Sequence, residues 1–322
     1  MPKAAILAVV LSVSSLALAG VPPASAATLT YPNEMVCGTQ AARPDRLPNL
    51  PERRFLPKAG GAIAFYRFGQ GSPIVLVTGY RATLSEWNTY FLEELARHHE
   101  VVVFDNRGVG RSVGANDGYR VQDLAADTIS LITGLKLQDV TLLGWSMGGM
   151  IAQQAVEQSP GIARRLILLA TMPPGREAIP VPPYVMEALS RHDAGSFDRI
   201  MALLFPKPAV AQAEKCFAKE MFLPKSYASA EISEPLAQRQ ARLMEQWQAD
   251  NAAAAGLRNV TIPTLVLGGT DDRILAPKDA VELKGLLPDA MLDEVTGGGH
   301  AVMYQFPFSL ADRITHFIVA GR

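Results

Sequence analysis

A serine and a histidine stand in this sequence where they could together carry out nucleophilic catalysis. Ser146 lies between Gly144 and Gly148, after an apolar run and before a helical pattern. At such a strand-to-helix turn the hydroxyl is exposed above the sheet, and the first helical amides face a developing oxyanion. His300 follows three glycines, so its neutral imidazole is free to reach the Ser146 proton at neutral pH. The residue types predict acyl transfer, with an idle serine in a glycine-rich turn as the alternative.

The elements that would position these residues alternate between short apolar runs and helical patterns. Strands are expected at 74–77, 101–104, 140–143, 166–170, 264–267 and 291–295, and helices at 87–99, 121–135, 150–157 and 310–319. This βαβ rhythm is typical of a parallel sheet, because parallel strands need a crossover helix between them. The sequence therefore predicts an α/β fold with a mostly parallel sheet flanked by helices.

The rhythm breaks between 172 and 257, where prolines open a stretch of helical pieces that carry methionines and aromatic residues. We interpret 172–257 as a helical cap inserted into a core made of 61–171 and 258–322, with 27–60 as an N-terminal extension. A cap that closes over a sheet edge creates a concave apolar site. Its apolar side chains are expected to pack between the cap helices, and part of them to line an acyl or ring pocket.

The N-terminus has the pattern of a cleaved export signal. Lys3 precedes an apolar run over 4–19, and the small residues Ala24, Ser25 and Ala26 follow two prolines. We predict a signal peptide over 1–26, a mature chain that starts at Ala27, and a periplasmic or secreted bacterial protein. The apolar run is shorter than the roughly 20 residues of a membrane-spanning helix, so no stable anchor is expected after cleavage. An uncleaved anchor is the alternative.

Charge and cysteine content narrow the classes of partner. Lys and Arg total 30 against 31 Asp and Glu, for a net charge of −1 with no basic block, which argues against a nucleic-acid partner and favours a small, weakly charged one. No CxxC or HExxH pattern occurs, so neither metal nor cofactor is predicted. Cys37 and Cys216 could form a disulfide in an exported chain or remain two thiols, and both readings stay open.

Several motifs resemble those of the α/β-hydrolase superfamily, in the same order along the chain. The stretch 144–148, GWSMG, resembles its nucleophile elbow, and 105–112, DNRGVGRS, resembles its DxRGxGxS loop, which is more often a brace than a catalytic part. The resemblance covers the core from 61 to 171 and from 262 to the end. It implies that Ser146 is the nucleophile of an α/β-hydrolase fold.

The resemblance also implies the oxyanion hole. Thr78, Gly79 and Tyr80 stand where many members carry His-Gly-x, and the departure at Thr78 matters little if only backbone amides are used. By this resemblance the amides of Tyr80 and Met147 would hold the oxyanion. Tyr80 as a packing aromatic is the alternative.

The acid and the base follow the serine in the superfamily's order. Residues 269–272, GTDD, resemble its GxxD turn, which selects Asp272 as the acid and leaves Asp271 as the fallback. His300 would be the base, and Asp272 would set its tautomer.

The segment around Ser146 resembles bacterial carboxylesterases and enol-lactonases, which implies a serine hydrolase of carboxylic esters or lactones that forms an acyl-enzyme. The expected substrate is a small apolar or weakly polar acyl compound. The same triad could instead serve an acyltransferase, a cofactor-free perhydrolase or a peptidase. The alternative outside the enzymes is a binding protein that has the fold but no catalytic activity.

Overall fold

The computed structural model describes residues 27–37, 47, 50–55, 61–113, 119–191, 193–228 and 231–321. The predicted signal peptide, 1–26, lies outside the described residues and stays a prediction. Within the described ranges, no helix combines the length and the apolar character that a membrane crossing needs.

Nine strands form one sheet, in the spatial order β1-β9-β8-β7-β6-β4-β5-β3-β2. Among the described strands, β3 alone runs antiparallel to its neighbours, β2 and β5, and the other pairs are parallel. The strands are β1 (Ala27–Leu29), β2 (Arg53–Phe55), β3 (Ile63–Gly69), β4 (Ser72–Val77), β5 (His99–Phe104), β6 (Thr141–Trp145), β7 (Arg165–Leu169), β8 (Thr264–Gly269) and β9 (Ala290–Val295).

Helices connect the strands and cover the sheet. Those that alternate with strands are α1 (Thr89–Leu95), α2 (Val121–Gly134), α3 (Met147–Gln158), α9 (Pro277–Leu286), α10 (Val302–Gln305) and α11 (Pro307–Val319). Five further helices lie between β7 and β8: α4 (Pro183–Ser190), α5 (Ser196–Leu204), α6 (Val210–Glu220), α7 (Glu234–Ala249) and α8 (Asn251–Leu257). The central strands are buried on both faces, since every residue of β6 is buried, as expected for a parallel sheet between helical layers.

The predicted mostly parallel α/β architecture is confirmed, and the predicted strands differ from the observed ones by one or two residues at their ends. The helix expected over 87–99 is wrong at its C-terminal end, because α1 ends at Leu95 and His99 already belongs to β5. The imidazole of His99 is buried at the start of that strand, where its Nδ1 lies 3.1 Å from Ser72 Oγ.

Helices from the predicted cap contact the core beside His300. Phe217 of α6 stacks on Tyr304 of α10, with ring centroids 4.4 Å apart. Leu204, at the end of α5, accepts a hydrogen bond from the Ala301 N–H at 3.1 Å. The subdivision at 172 and 257 stays a prediction, but these contacts show that helices from this stretch lie against the loop that carries His300.

A disulfide joins Cys37 to Cys216, which decides between the two readings that the sequence left open. It ties the N-terminal segment to α6 across 179 residues of sequence. The buried carboxylate of Glu220 reinforces the same junction, since it accepts from the Val36 N–H at 2.8 Å and from Asn88 Nδ2 at 2.7 Å. The disulfide and the Glu220 hydrogen bonds therefore hold the N-terminal segment, the predicted cap and the start of α1 together.

Reduction of this disulfide is expected to lower the free energy of unfolding by about 2–5 kcal/mol, because the cross-link restricts the unfolded chain. Urea unfolding with and without dithiothreitol measures the difference. The double variant Cys37→Ser/Cys216→Ser is the control, and its urea unfolding curve should be the same with and without dithiothreitol. Coincident wild-type curves in the two conditions would contradict the expectation.

Candidate active site

The nucleophile motif lies where β6 turns into α3. Both motif glycines are required by close approach: a Cβ on Gly144 would collide with the Gly148 carbonyl oxygen, and a Cβ on Gly148 would collide with the Val77 carbonyl oxygen. Ser146 has φ 57° and ψ −126°, a strained conformation for a residue with a side chain. Such strain persists only where the surroundings hold it, and it is typical of a serine presented to substrate.

Hydrogen bonds with β7 and with the residue that follows Ala170 help to hold the Ser146 backbone in this conformation. Its N–H donates to the Leu169 carbonyl oxygen at 3.0 Å, and the Thr171 hydroxyl donates to the Ser146 carbonyl oxygen at 2.7 Å. Ser146 is only 7% exposed. The turn that carries the hydroxyl is therefore largely shielded from solvent.

His300 is paired with Asp272 and not with Asp271. His300 Nδ1 donates to Asp272 Oδ2 at 2.8 Å, with both side chains buried. The other carboxylate oxygen, Asp272 Oδ1, accepts from the Ile274 and Leu275 amides at 2.8 and 3.0 Å. Asp271 is exposed, and within the described ranges no hydrogen bond joins its carboxylate to His300. Because a carboxylate only accepts, this pairing keeps the proton on Nδ1 and leaves Nε2 to act as the base.

The loop that carries His300 is fixed by two polar side chains. Trp145 Nε1 donates to the His300 carbonyl oxygen at 3.0 Å, and its ring packs against Trp87 with centroids 5.8 Å apart. Gln305 accepts from the Gly299 N–H at 2.7 Å and donates to the Gly297 carbonyl oxygen at 3.0 Å. The glycines make the loop flexible in principle, and these contacts remove that freedom.

The predicted oxyanion residues flank the nucleophile. Gly79 approaches Ser146 so closely that a Cβ on it would lie 3.5 Å from Ser146 Oγ. Within the described chain, no hydrogen bond is donated by the backbone amide of Tyr80 or of Met147. Two unused N–H donors thus lie one residue from Gly79 and one residue from Ser146, as an oxyanion hole needs.

The loop after β5 braces the Tyr80 loop. Asn106 Nδ2 donates to the Thr78 carbonyl oxygen at 3.3 Å. Asp105 accepts from the Leu84 and Arg111 amides at 2.8 and 2.9 Å, and burial raises the pKa of its carboxyl to about 6. These contacts are those of the brace that the sequence predicted for 105–112.

One contact of the expected mechanism is not formed. Among the hydrogen bonds of the described residues, none joins Ser146 Oγ to the His300 ring. Catalytic hydrogen bonds are often long in an unliganded site and shorten when substrate binds. The structure therefore pairs Asp272 with His300, and places Ser146 next to Trp145, whose indole is bonded to the His300 backbone.

The described residues contain one group whose ligand atoms could meet at a metal: Cys37, Cys216 and Glu220, within 4.8 Å of one another. The two sulfurs are joined in the disulfide, and Glu220 accepts hydrogen bonds from protein donors. This group offers no thiolate ligand.

Sequence reasoning missed the side chains that hold the site residues in place. Trp145 had a signal, since it stands inside the GxSxG motif at the end of a buried strand, where an indole N–H needs an acceptor. Asn106 lies within the predicted 105–112 brace, at a position that the DxRGxGxS motif leaves open. Gln305 had no signal, because its contacts lie within a loop that lacks periodicity.

Comparison with known proteins gives a consistent family assignment. A sequence profile described as the alpha/beta hydrolase fold matches residues 72–307. A Synechocystis protein with the provisional name of a non-heme chloroperoxidase is 29% identical over 262 residues, which is 74% of this chain and 88% of that protein.

Solved structures resemble the chain over most of its length. An α/β-hydrolase fold protein from Chitinophaga pinensis has a TM-score of 0.71 at 21% identity, over 84% of this chain and 98% of its own. An esterase from Rhodococcus has a TM-score of 0.68 at 20% identity, over 84% of this chain and 99% of its own. At these identities the likeness concerns the fold. Together with the family profile over 72–307, which includes Ser146, Asp272 and His300, it shows that this chain belongs to the α/β-hydrolase fold family.

Proposed function

We propose that the protein is a serine hydrolase that cleaves carboxylic esters or lactones through an acyl-enzyme. The observation that carries the proposal is the buried pairing of His300 Nδ1 with Asp272 Oδ2 at 2.8 Å, beside a strained Ser146 at the start of a helix. A buried carboxylate that orients an imidazole next to a serine on a strained turn is the arrangement that makes a serine nucleophilic.

Each step follows from the residue types. Ser146 Oγ attacks the acyl carbon while His300 Nε2 takes its proton, and the carbonyl electron pair moves onto the oxygen. The amides of Tyr80 and Met147 hold that oxyanion. The tetrahedral intermediate collapses, His300 returns the proton to the leaving alcohol, and water activated by His300 then releases the acid.

The proposed substrate is a small acyl compound of low polarity. Helices α5 and α6 place apolar side chains near the His300 loop: Phe205 and Phe217 of the cap both contact Tyr304, with centroids 6.4 and 4.4 Å apart. These three rings are buried against one another, so the cap is apolar where it meets the His300 loop. A site under such a cap favours apolar acyl groups, because their binding removes apolar surface from water.

The test is covalent labelling of the wild-type protein. A fluorophosphonate probe should add one probe mass, and peptide mapping should place the adduct on Ser146. Hydrolysis of p-nitrophenyl butyrate in the same preparation should stop as labelling completes. A folded protein that takes up no probe and hydrolyses no ester would instead support a silent binding protein.

A second candidate has its own support. The relative named as a non-heme chloroperoxidase suggests peroxide as an alternative acceptor: hydrogen peroxide in place of water would attack the acyl-enzyme and release a peracid and free Ser146. Product analysis with water and peroxide in competition separates the two reactions. The remaining triad reactions, transfer to an alcohol and peptide cleavage, are the other outcomes of the same assay.

We also propose that the protein is exported. The disulfide between Cys37 and Cys216 supports this, because disulfides persist in oxidising compartments and are rare in the cytosol. Fractionation of cells that express the full chain, with sequencing of the mature N-terminus, tests both the location and the expected cleavage before Ala27.

A further inference from the structure

The loop over 78–81, which we call the oxyanion loop, is anchored from two sides. From the core, Asn106 Nδ2 donates to the Thr78 carbonyl oxygen at 3.3 Å. From the cap, Gln240 of α7 reaches down and its Oε1 accepts from the Arg81 N–H at 2.9 Å. Arg81 has φ 51°, in the left-handed region that non-glycine residues rarely adopt, so its conformation needs such support.

Gln240 is itself held at both ends of its amide. It is fully buried, and its Nε2 donates to the Tyr119 hydroxyl at 3.3 Å. Tyr119 in turn donates to the Arg107 carbonyl oxygen at 3.1 Å, on the brace that follows β5. A buried carboxamide with both groups paired is rigid, because any other rotamer would leave a buried polar atom without a partner.

The two hydrogen bonds lie on either side of the peptide group that joins Gly79 to Tyr80. The Asn106 contact fixes the peptide plane between Thr78 and Gly79, and the Gln240 contact fixes the plane between Tyr80 and Arg81. The plane between them carries the Tyr80 N–H, and it begins at a glycine, whose backbone rotates with little steric resistance. With both neighbouring planes fixed, the Tyr80 N–H has one direction available to it.

We propose that Gln240 is a positioning residue for the oxyanion hole, through which the cap helix α7 holds the Tyr80 amide in its working direction. The inference rests on the proposed function, since an oxyanion must form for the direction to matter. It makes the hole dependent on the position of α7: a cap displaced from the core would lose the Arg81 contact and the aligned amide together.

The test separates binding of the oxyanion from binding of the neutral ligand. Ser146 Oγ adds to the carbonyl carbon of a trifluoromethyl hexyl ketone while the serine proton passes to His300. The adduct carries an oxyanion that lies in the hole. The corresponding secondary alcohol occupies the site without reacting. The variant is Gln240→Met, of similar length but with neither donor nor strong acceptor. The control is Gln238→Met, an exposed position on the same helix.

In Gln240→Met, kcat for p-nitrophenyl butyrate should fall by about 10- to 100-fold, and KM should stay within about twofold. This fall in kcat is somewhat less than the loss expected when an oxyanion donor is removed outright. The inhibition constant of the ketone should rise by the same factor, and that of the alcohol should not change. Gln238→Met should match the wild type. Active-site titration with the fluorophosphonate corrects for misfolded protein.

A second variant assigns the effect to the Arg81 contact. Gln240→Glu keeps an acceptor oxygen for the Arg81 N–H whether its carboxyl is protonated or not, and should retain most of the ketone affinity of the wild type. Equal losses in Gln240→Met and Gln240→Glu would overturn the assignment. Unchanged ketone affinity in Gln240→Met would overturn the inference while leaving the proposed function intact, since the latter fails only if the wild type forms no Ser146 adduct.

Discussion

Replacing Ser146 by alanine is expected to lower kcat for ester hydrolysis on the order of 10⁶-fold, because the acyl-enzyme cannot form without the hydroxyl. The substitution removes one oxygen from a buried turn whose backbone is held by Leu169 and Thr171, so the fold should survive. Initial rates with p-nitrophenyl butyrate, measured on protein whose folding is checked by circular dichroism, give the result.

The matched control is Ser159→Ala, at the far end of the same helix α3. It should leave the rate within about twofold of the wild type, since changes away from packing and polar contacts have small effects. Hydrolysis by Ser146→Ala at a rate close to that of the wild type would place the nucleophile elsewhere in the molecule.

Replacing Asp272 by asparagine is expected to lower kcat by about 10³- to 10⁴-fold. The asparagine can keep the Ile274 and Leu275 hydrogen bonds through its oxygen, so its NH₂ would face His300 Nδ1. Nδ1 must then accept, and the ring proton moves to Nε2, where it blocks removal of the Ser146 proton. The loss should appear in kcat and not in KM, because the Asp272 side chain is buried and is not expected to contact the substrate.

Asp271→Asn is the control for this experiment, one residue away and exposed. Its kcat should stay within about twofold of the wild type. A large loss in Asp271→Asn together with a small one in Asp272→Asn would reverse the choice of acid, and would mean that the His300 loop rearranges when substrate binds.

Local pattern was enough for the framework of the site. The motif around Ser146 predicts the sharp turn, since glycines stand at the two positions where a Cβ would collide with a carbonyl oxygen. The βαβ rhythm predicted the parallel strands because each is a short apolar run between helical patterns. Strands β1, β2 and β3 were not predicted: β2 and β3 pair antiparallel at one edge of the sheet and β1 lies at the other edge, all outside the repeating unit.

The sequence by itself determined the fold class and the interrupted stretch between β7 and β8, and it predicted the order of Ser146, acid and His300. Only the tertiary structure decided between Asp272 and Asp271, paired Cys37 with Cys216, and brought Gln240 to the Arg81 amide. The reason is physical. Steric limits and periodic burial act between residues close in sequence and leave a local signature. A hydrogen bond between residues that lie 159 positions apart depends on how whole elements pack, and leaves none.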